Sequence, residues 1–320
     1  MCIRDRTDVL EKATMIHRRT IKESNFDSVL HPTLSNQPAR LIIRLKVRLF
    51  ARDPSVSTIT AGLVRHEHLA RAMSEVRRGD VLDADGRRWR CRSWLESEFN
   101  AFCIKFKKVV ELAWNNQLIL IPPDGSDPSA DISDEVYKEF ISARNVPAHA
   151  RCGLEIALVP FGNTSTAHAL IEAVKLAEPS GHQFHSFQLR LTDEDVDFDR
   201  TIDEIGHSHY QITAAHEVGH WLGAPVSITD SGRYFNHVDA ASCAADAHHE
   251  RNADCEYGRT LSKRLAIMGL GTLATEYEAR PWVTRAQRHT RVLFGWTVVH
   301  RLPFERGKIP VSARQKRLIK

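Results

Sequence analysis

The chain has 320 residues, 42% of them hydrophobic, and 44 basic against 40 acidic side chains leave a formal charge of +4. That small, scattered excess lacks the clustered basicity of a nucleic-acid footprint, and no apolar run approaches the length of a membrane span. The 6 cysteines include no C-x-x-C pair, which excludes a zinc ribbon and a thioredoxin-type redox motif.

Residues 1–38 are polar and irregular and are expected to form a poorly ordered extension, of which 1–6 (M-C-I-R-D-R) resemble translated sequencing-adapter sequence. One main domain is expected over 39–302. Leu41 to Phe50 alternates as a strand does. Val81 to Arg90 reads as a hairpin turning at Asp85-Gly86. The same stretch read as a calcium loop lacks its downstream acidic ligand.

Ser93 and Glu96 have the spacing of a capping box, and Leu95, Phe99, Phe102, Phe106, Val109 and Ala113 then recur at steps of four and three, predicting an amphipathic helix behind a sheet. Gln117 to Ile121, Leu154 to Phe161 and Phe187 to Leu191 read as strands of one mixed sheet, with a helix or strand at His168 to Leu176. Asp193, Glu194, Asp195, Asp197, Asp199, Asp203 and Glu204 make an acidic stretch, read as a solvated loop rather than a calcium site. Cys91, Cys103 and Cys152 read as small buried hydrophobes. Cys243 and Cys255 bracket a loop carrying His248 and His249, open to three readings: a plain loop, a disulfide, or a separate structural zinc site. Residues 303–320 form a basic tail.

The chemistry concentrates in His216-Glu217-Val218-Gly219-His220. A helix turns 100° per residue, so the two histidines share a face one turn apart and can hold one metal between them. Glu217, beside the first ligand, can then reach a water at that metal without itself becoming a ligand. Ile212, Ala215, Gly219 and Leu222 form an apolar stripe suited to burial against the sheet. Histidines aimed into such a core are costly unless ligated or hydrogen-bonded.

Residues 216–223, H-E-V-G-H-W-L-G, resemble the opening of the metzincin signature, H-E-x-x-H-x-x-G-x-x-H with a later methionine turn. In metzincins the glycine permits a bend to a third histidine, where this chain has Val226. Ala266-Ile267-Met268-Gly269 resembles the methionine turn. The stretch from Cys255-Glu256-Tyr257-Gly258 to Ala279-Arg280-Pro281-Trp282 is also similar to uncharacterised bacterial zincin-like proteins, in which a His-Val pair closely follows the glycine. His237-Val238 is such a pair, displaced by an insertion over Val226 to Asn236. His237 is therefore favoured as third ligand, with Asp239, His248 and His249 as competitors.

The resemblance implies an α+β, zincin-like fold: a mixed twisted sheet with a backing helix and an active-site helix to about residue 223, then a smaller irregular C-terminal subdomain. It implies a Zn2+-dependent endopeptidase with Glu217 as general base, Tyr257 or Tyr277 as oxyanion stabiliser, and a peptide substrate added along the strand near Phe187 to Leu191. No nucleic-acid or membrane partner is expected, and the chain is expected to be soluble, either cytoplasmic or exported by a signal-independent route. Two other classes fit less well: a catalytically inactive zincin-like binding or structural module of a phage or secretion particle, and a metal-dependent hydrolase of non-peptide bonds.

Overall fold

The computed structural model describes residues 19–23, 25–31, 39–54, 79–83, 87–115, 117–122, 150–160, 166–181, 190–202, 206, 208–223, 237–238, 257–290 and 295–300. The fold is α+β, with a mixed sheet and few helices. Among the described residues, no helix is long and apolar enough to cross a membrane.

The chain enters as two short strands, β1 (Arg19–Ile21) and β2 (Asp27–His31), and β2 pairs antiparallel with β3 (Ala39–Ala51). β1 and β2, which lie within the extension expected to be poorly ordered, are thus strands of the sheet. They lack the alternation that marks β3, and tertiary pairing orders them instead. In β3 the odd positions Ala39, Leu41, Ile43, Leu45 and Val47 are fully buried, while the even ones stay partly exposed, so one face carries the core.

The hairpin forms as β4 (Asp80–Leu82) and β5 (Arg88–Arg92), and its turn at 84–86 lies outside the described residues. Helix α1 (Glu96–Trp114) begins later than the Ser93–Glu96 pair suggests, with Leu95 as its N-cap and Glu98 accepting the Leu95 N–H at 3.1 Å. Leu95 is consequently 65% exposed rather than part of the apolar stripe, while Phe102, Phe106, Val109 and Ala113 are buried as their spacing requires.

After β6 (Leu118–Ile121), β7 (Ala150–Leu158) and β8 (Ala169–Leu176) both pair parallel with β3. The 168–176 segment is therefore a strand, and the strand expected from Leu154 begins four residues earlier. Strand β9 (Arg190–Thr192) runs parallel to β8, and residues 182–189 lie outside the described residues. A separate hairpin, β10 (Asp199–Ile202) and β11 (Ser208–Gln211), occupies part of the acidic stretch. Helix α2 (Thr213–Leu222) follows at once. A short helix α3 (Leu261–Arg264), helix α4 (Arg280–Thr290) and strand β12 (Thr297–His300) complete the described chain. β12 pairs with β6, which seats the end of the C-terminal part on the same sheet.

Beyond Arg151, β7 has no strand beside it on the β6 side among the described residues, and α1 reaches that edge with side chains. Asn115 accepts from Leu154 N–H at 2.9 Å and donates to Leu154 C=O at 3.0 Å, Glu111 accepts from Ile156 N–H at 2.8 Å, and Lys107 donates to Ile156 C=O. Positions four apart on a helix are about 6 Å apart, near the roughly 6.6 Å between alternate strand residues, so the helix matches the ladder. This locks α1 to the sheet, and the Trp114 indole, donating to Ala215 C=O at 3.0 Å, then fixes α2 against α1.

Candidate metal centre

Helix α2 presents the H-E-V-G-H segment from inside the core: His216, Glu217, Val218 and Gly219 are buried, and His220 is half-buried. The apolar stripe expected on it is buried as well. The helix starts without a side-chain cap, and its Ala214 N–H donates instead to Asp195 C=O at 2.9 Å, just past β9. Gly223 ends the helix at φ −79° and ψ −5°, a right-handed conformation open to any residue. The bend expected of that glycine would fall in residues 224–236, outside the described residues.

The structure brings His216, His220 and His237 together, with one ring nitrogen from each lying within 4.8 Å of the others. Ring centroids are 4.8 Å apart for His216 and His220, and 5.2 Å from His237 to each. Asp239, His248, His249, Cys243 and Cys255, the competing ligands and the second candidate zinc site, lie outside the described residues.

Burial, and then the charges of His220 and His237, push His216 well below the ordinary imidazole value of 6.5. It is accordingly neutral, the form in which imidazole binds metal. Three imidazole nitrogens gathered this closely could hold a metal ion, and a three-nitrogen set is of the kind that takes zinc. The residues present fit that ion. Glu217 is pushed up to about 8, first by burial and then by the nearby Asp195 carboxylate, so its carboxyl gains a proton readily.

The turn carrying Met268 underlies this cluster. Met268 is fully buried, and its sulfur packs on Gly219, where a Cβ would also come within 2.9 Å of the Trp114 ring. Ile267 C=O lies 2.7 Å from His216 Nδ1, and Met268 C=O accepts the N–H of Val238, next to His237, at 3.3 Å. A Cβ on Gly269 would collide with the backbone carbonyl of Lys263, so only glycine allows the turn to close there.

Of the two tyrosines, Tyr257 reaches the cluster, its ring 4.0 Å from that of His237 and 6.3 Å from that of His216. Tyr277 sits instead in a 3-10 turn (Tyr277–Ala279), 43% exposed, where Glu278 and Arg280 are the charges that act on it. Comparison with protein-family models, with curated proteins and with solved structures returns no match.

Three further residues of the centre lie outside the H-E-V-G-H segment and the Met268 turn. Gln211 donates to Gly269 C=O at 2.8 Å. Glu278, wholly buried, accepts the Met268 N–H at 3.3 Å and the Thr275 N–H at 2.7 Å. Asp195 is 8% exposed and accepts both the N–H and the hydroxyl of Thr192, so it does not belong to a solvated loop as the acidic run suggests. Thr192-x-x-Asp195 and Thr275-x-x-Glu278 have capping-box spacing, a local signal that could have found two of them, whereas Gln211 acts on a segment 58 residues away.

Proposed function

We propose that the chain is a zinc-dependent endopeptidase of zincin-like fold, with His216, His220 and His237 as ligands and Glu217 as general base. The observation that carries the reading is the convergence of the three imidazoles beside Glu217. A histidine far along the chain from the H-E-V-G-H helix completes a three-nitrogen set in contact with that helix. A core made for stability alone has little reason to gather three imidazoles around one point.

Zinc in such a set supplies Lewis acidity, acidifying water and polarising a substrate carbonyl. Glu217 takes a proton from the attacking water on its carboxylate and passes it to the nitrogen of the leaving amine. Tyr257, beside His237, is the better placed of the two tyrosines to donate to a developing oxyanion. Among the described residues β9 pairs only with β8, and Asp195 just beyond it touches the start of α2. That leaves an edge beside the centre where an extended peptide can add as a strand.

The test is to purify the chain and Glu217→Ala, measure bound metal by mass spectrometry, and incubate both with casein and a peptide library. One zinc per chain in both, with cleavage by the unmutated protein alone, is the expected result. No zinc in either sinks the proposal, and zinc without cleavage would leave a binding module.

A further inference from the structure

His216 Nδ1 has two polar neighbours, Ile267 C=O at 2.7 Å and Gln211 Nε2 at 3.0 Å. It can satisfy only one, because a carbonyl oxygen accepts and an amide nitrogen donates. The shorter contact decides. A bare Nδ1 lone pair facing a carbonyl oxygen at that distance would be repulsive, so Nδ1 carries the proton and donates it to Ile267. The Gln211 amide is oriented independently of His216. Its nitrogen lies 2.8 Å from Gly269 C=O, and turning the amide over would set two acceptor oxygens against each other.

One arrangement therefore meets the Ile267 and Gly269 contacts together: Nδ1–H of His216 to Ile267, and Gln211 N–H to Gly269. It leaves Nε2 of His216 as the nitrogen with a free lone pair. Gln211 ends β11, which is paired to β10 through Asp199, and it precedes α2 by two residues. Its side chain thus joins the start of the ligand helix to a turn 58 residues away in sequence.

We propose that Gln211 is a positioning residue of the centre, a tie that holds the 267–269 turn so that Ile267 C=O stays on His216 Nδ1 and keeps Nε2 as the metal donor. The inference rests on the zinc reading above. An outer partner of this kind fixes the ring and its tautomer before the ion arrives.

The experiment is a zinc titration against a chromophoric chelator, run on the unmutated protein, Gln211→Leu and Gln211→Glu, with the cobalt(II) absorption spectrum of each. The Leu variant cannot donate, and the Glu variant sets an acceptor against Gly269. Both are expected to bind one metal per chain about 10- to 100-fold more weakly, with shifted cobalt bands. Unchanged zinc affinity in Gln211→Leu overturns this proposal and leaves the zinc site standing, whereas no zinc binding by the unmutated protein overturns both. Long-range proton–nitrogen NMR of the metal-free, unmutated protein reads the His216 tautomer without any substitution. Nδ1–H is expected, and Nε2–H overturns the proposal even where a variant fails to fold.

Discussion

Gly219 and Met268 meet where no further side-chain atom fits: a Cβ on the glycine would strike the methionine sulfur and come within 2.9 Å of Trp114. The middle of the ligand helix is therefore pressed directly onto the turn that serves its histidines. Alanine at 219 would gain about 1 kcal/mol of helix propensity against roughly 1–3 kcal/mol of overpacking. Gly219→Ala is expected to lose about 0–2 kcal/mol on balance. In a Met268→Ala background the loss should shrink, because only the Trp114 contact then opposes the added Cβ. Urea unfolding of the four proteins tests this, and additive losses would contradict the contact.

Glu217 makes the metal-free protein sensitive to alkali. Burial and Asp195 raise its carboxyl from the ordinary 4.5 to about 8, so the folded state keeps a proton that the unfolded state loses. The sign follows: the contribution of Glu217 to stability is fully present below about 4.5 and is lost as pH rises towards 8. Glu217→Gln removes this loss, and without metal it should exceed the unmutated protein in stability by as much as about 4 kcal/mol at pH 8, with little difference at pH 4.5. Chemical denaturation at both pH values measures it. Catalysis is expected to disappear in the same variant.

Glu278 holds the turn through the backbone of Met268. Its wholly buried carboxylate accepts from Met268 and Thr275 backbone N–H groups. Glu278→Ala strands those donors, at about 1–3 kcal/mol each, while Glu278→Gln keeps one acceptor oxygen and should lose less. Calorimetric Tm values for the two variants order the effects, and equal losses would show that the side chain acts through its volume alone.

The side-chain ladder along β7 predicts a local effect. Asn115→Ala removes both partners of Leu154, leaving its N–H and C=O unpaired at a cost of about 1–3 kcal/mol each. Hydrogen exchange at the Leu154 amide should accelerate in the variant, with Ile156 less affected because Glu111 still serves it. Unchanged protection at Leu154 would mean another group takes over.

The third ligand is open to a direct comparison. His237→Ala is expected to weaken zinc binding at least 100-fold, on the order expected for losing a ligand rather than an outer partner, while His248→Ala and His249→Ala keep one zinc per chain. Metal content after dialysis against a mild chelator distinguishes them.

Local periodicity was enough for much of this protein. The alternation of β3 and the four-and-three spacing of α1 are written in adjacent residues, and both elements form close to where that pattern puts them. The pairing of His216 with His220 is legible for the same reason, since one helical turn is a short-range relationship. The start of α1 was misplaced because Ser93 and Glu96 carry the spacing of a cap while Glu98 supplies the actual partner, a choice settled by backbone geometry. β1 and β2 escaped notice because edge pairing depends on β3 and leaves little trace in their own short sequences.

The sequence by itself determined that a helix carries His216 and His220 one turn apart with Glu217 beside the first of them. It favoured His237 over Asp239, His248 and His249 through a resemblance alone, because nothing in a linear order says which imidazole returns to the helix. Tertiary structure brings His237 up to that helix and sets the parts played by Gln211, Asp195 and Glu278. Each works through a hydrogen bond or a field at a few ångströms, and such distances between remote segments exist only once the sheet and the 267–269 turn have brought them together.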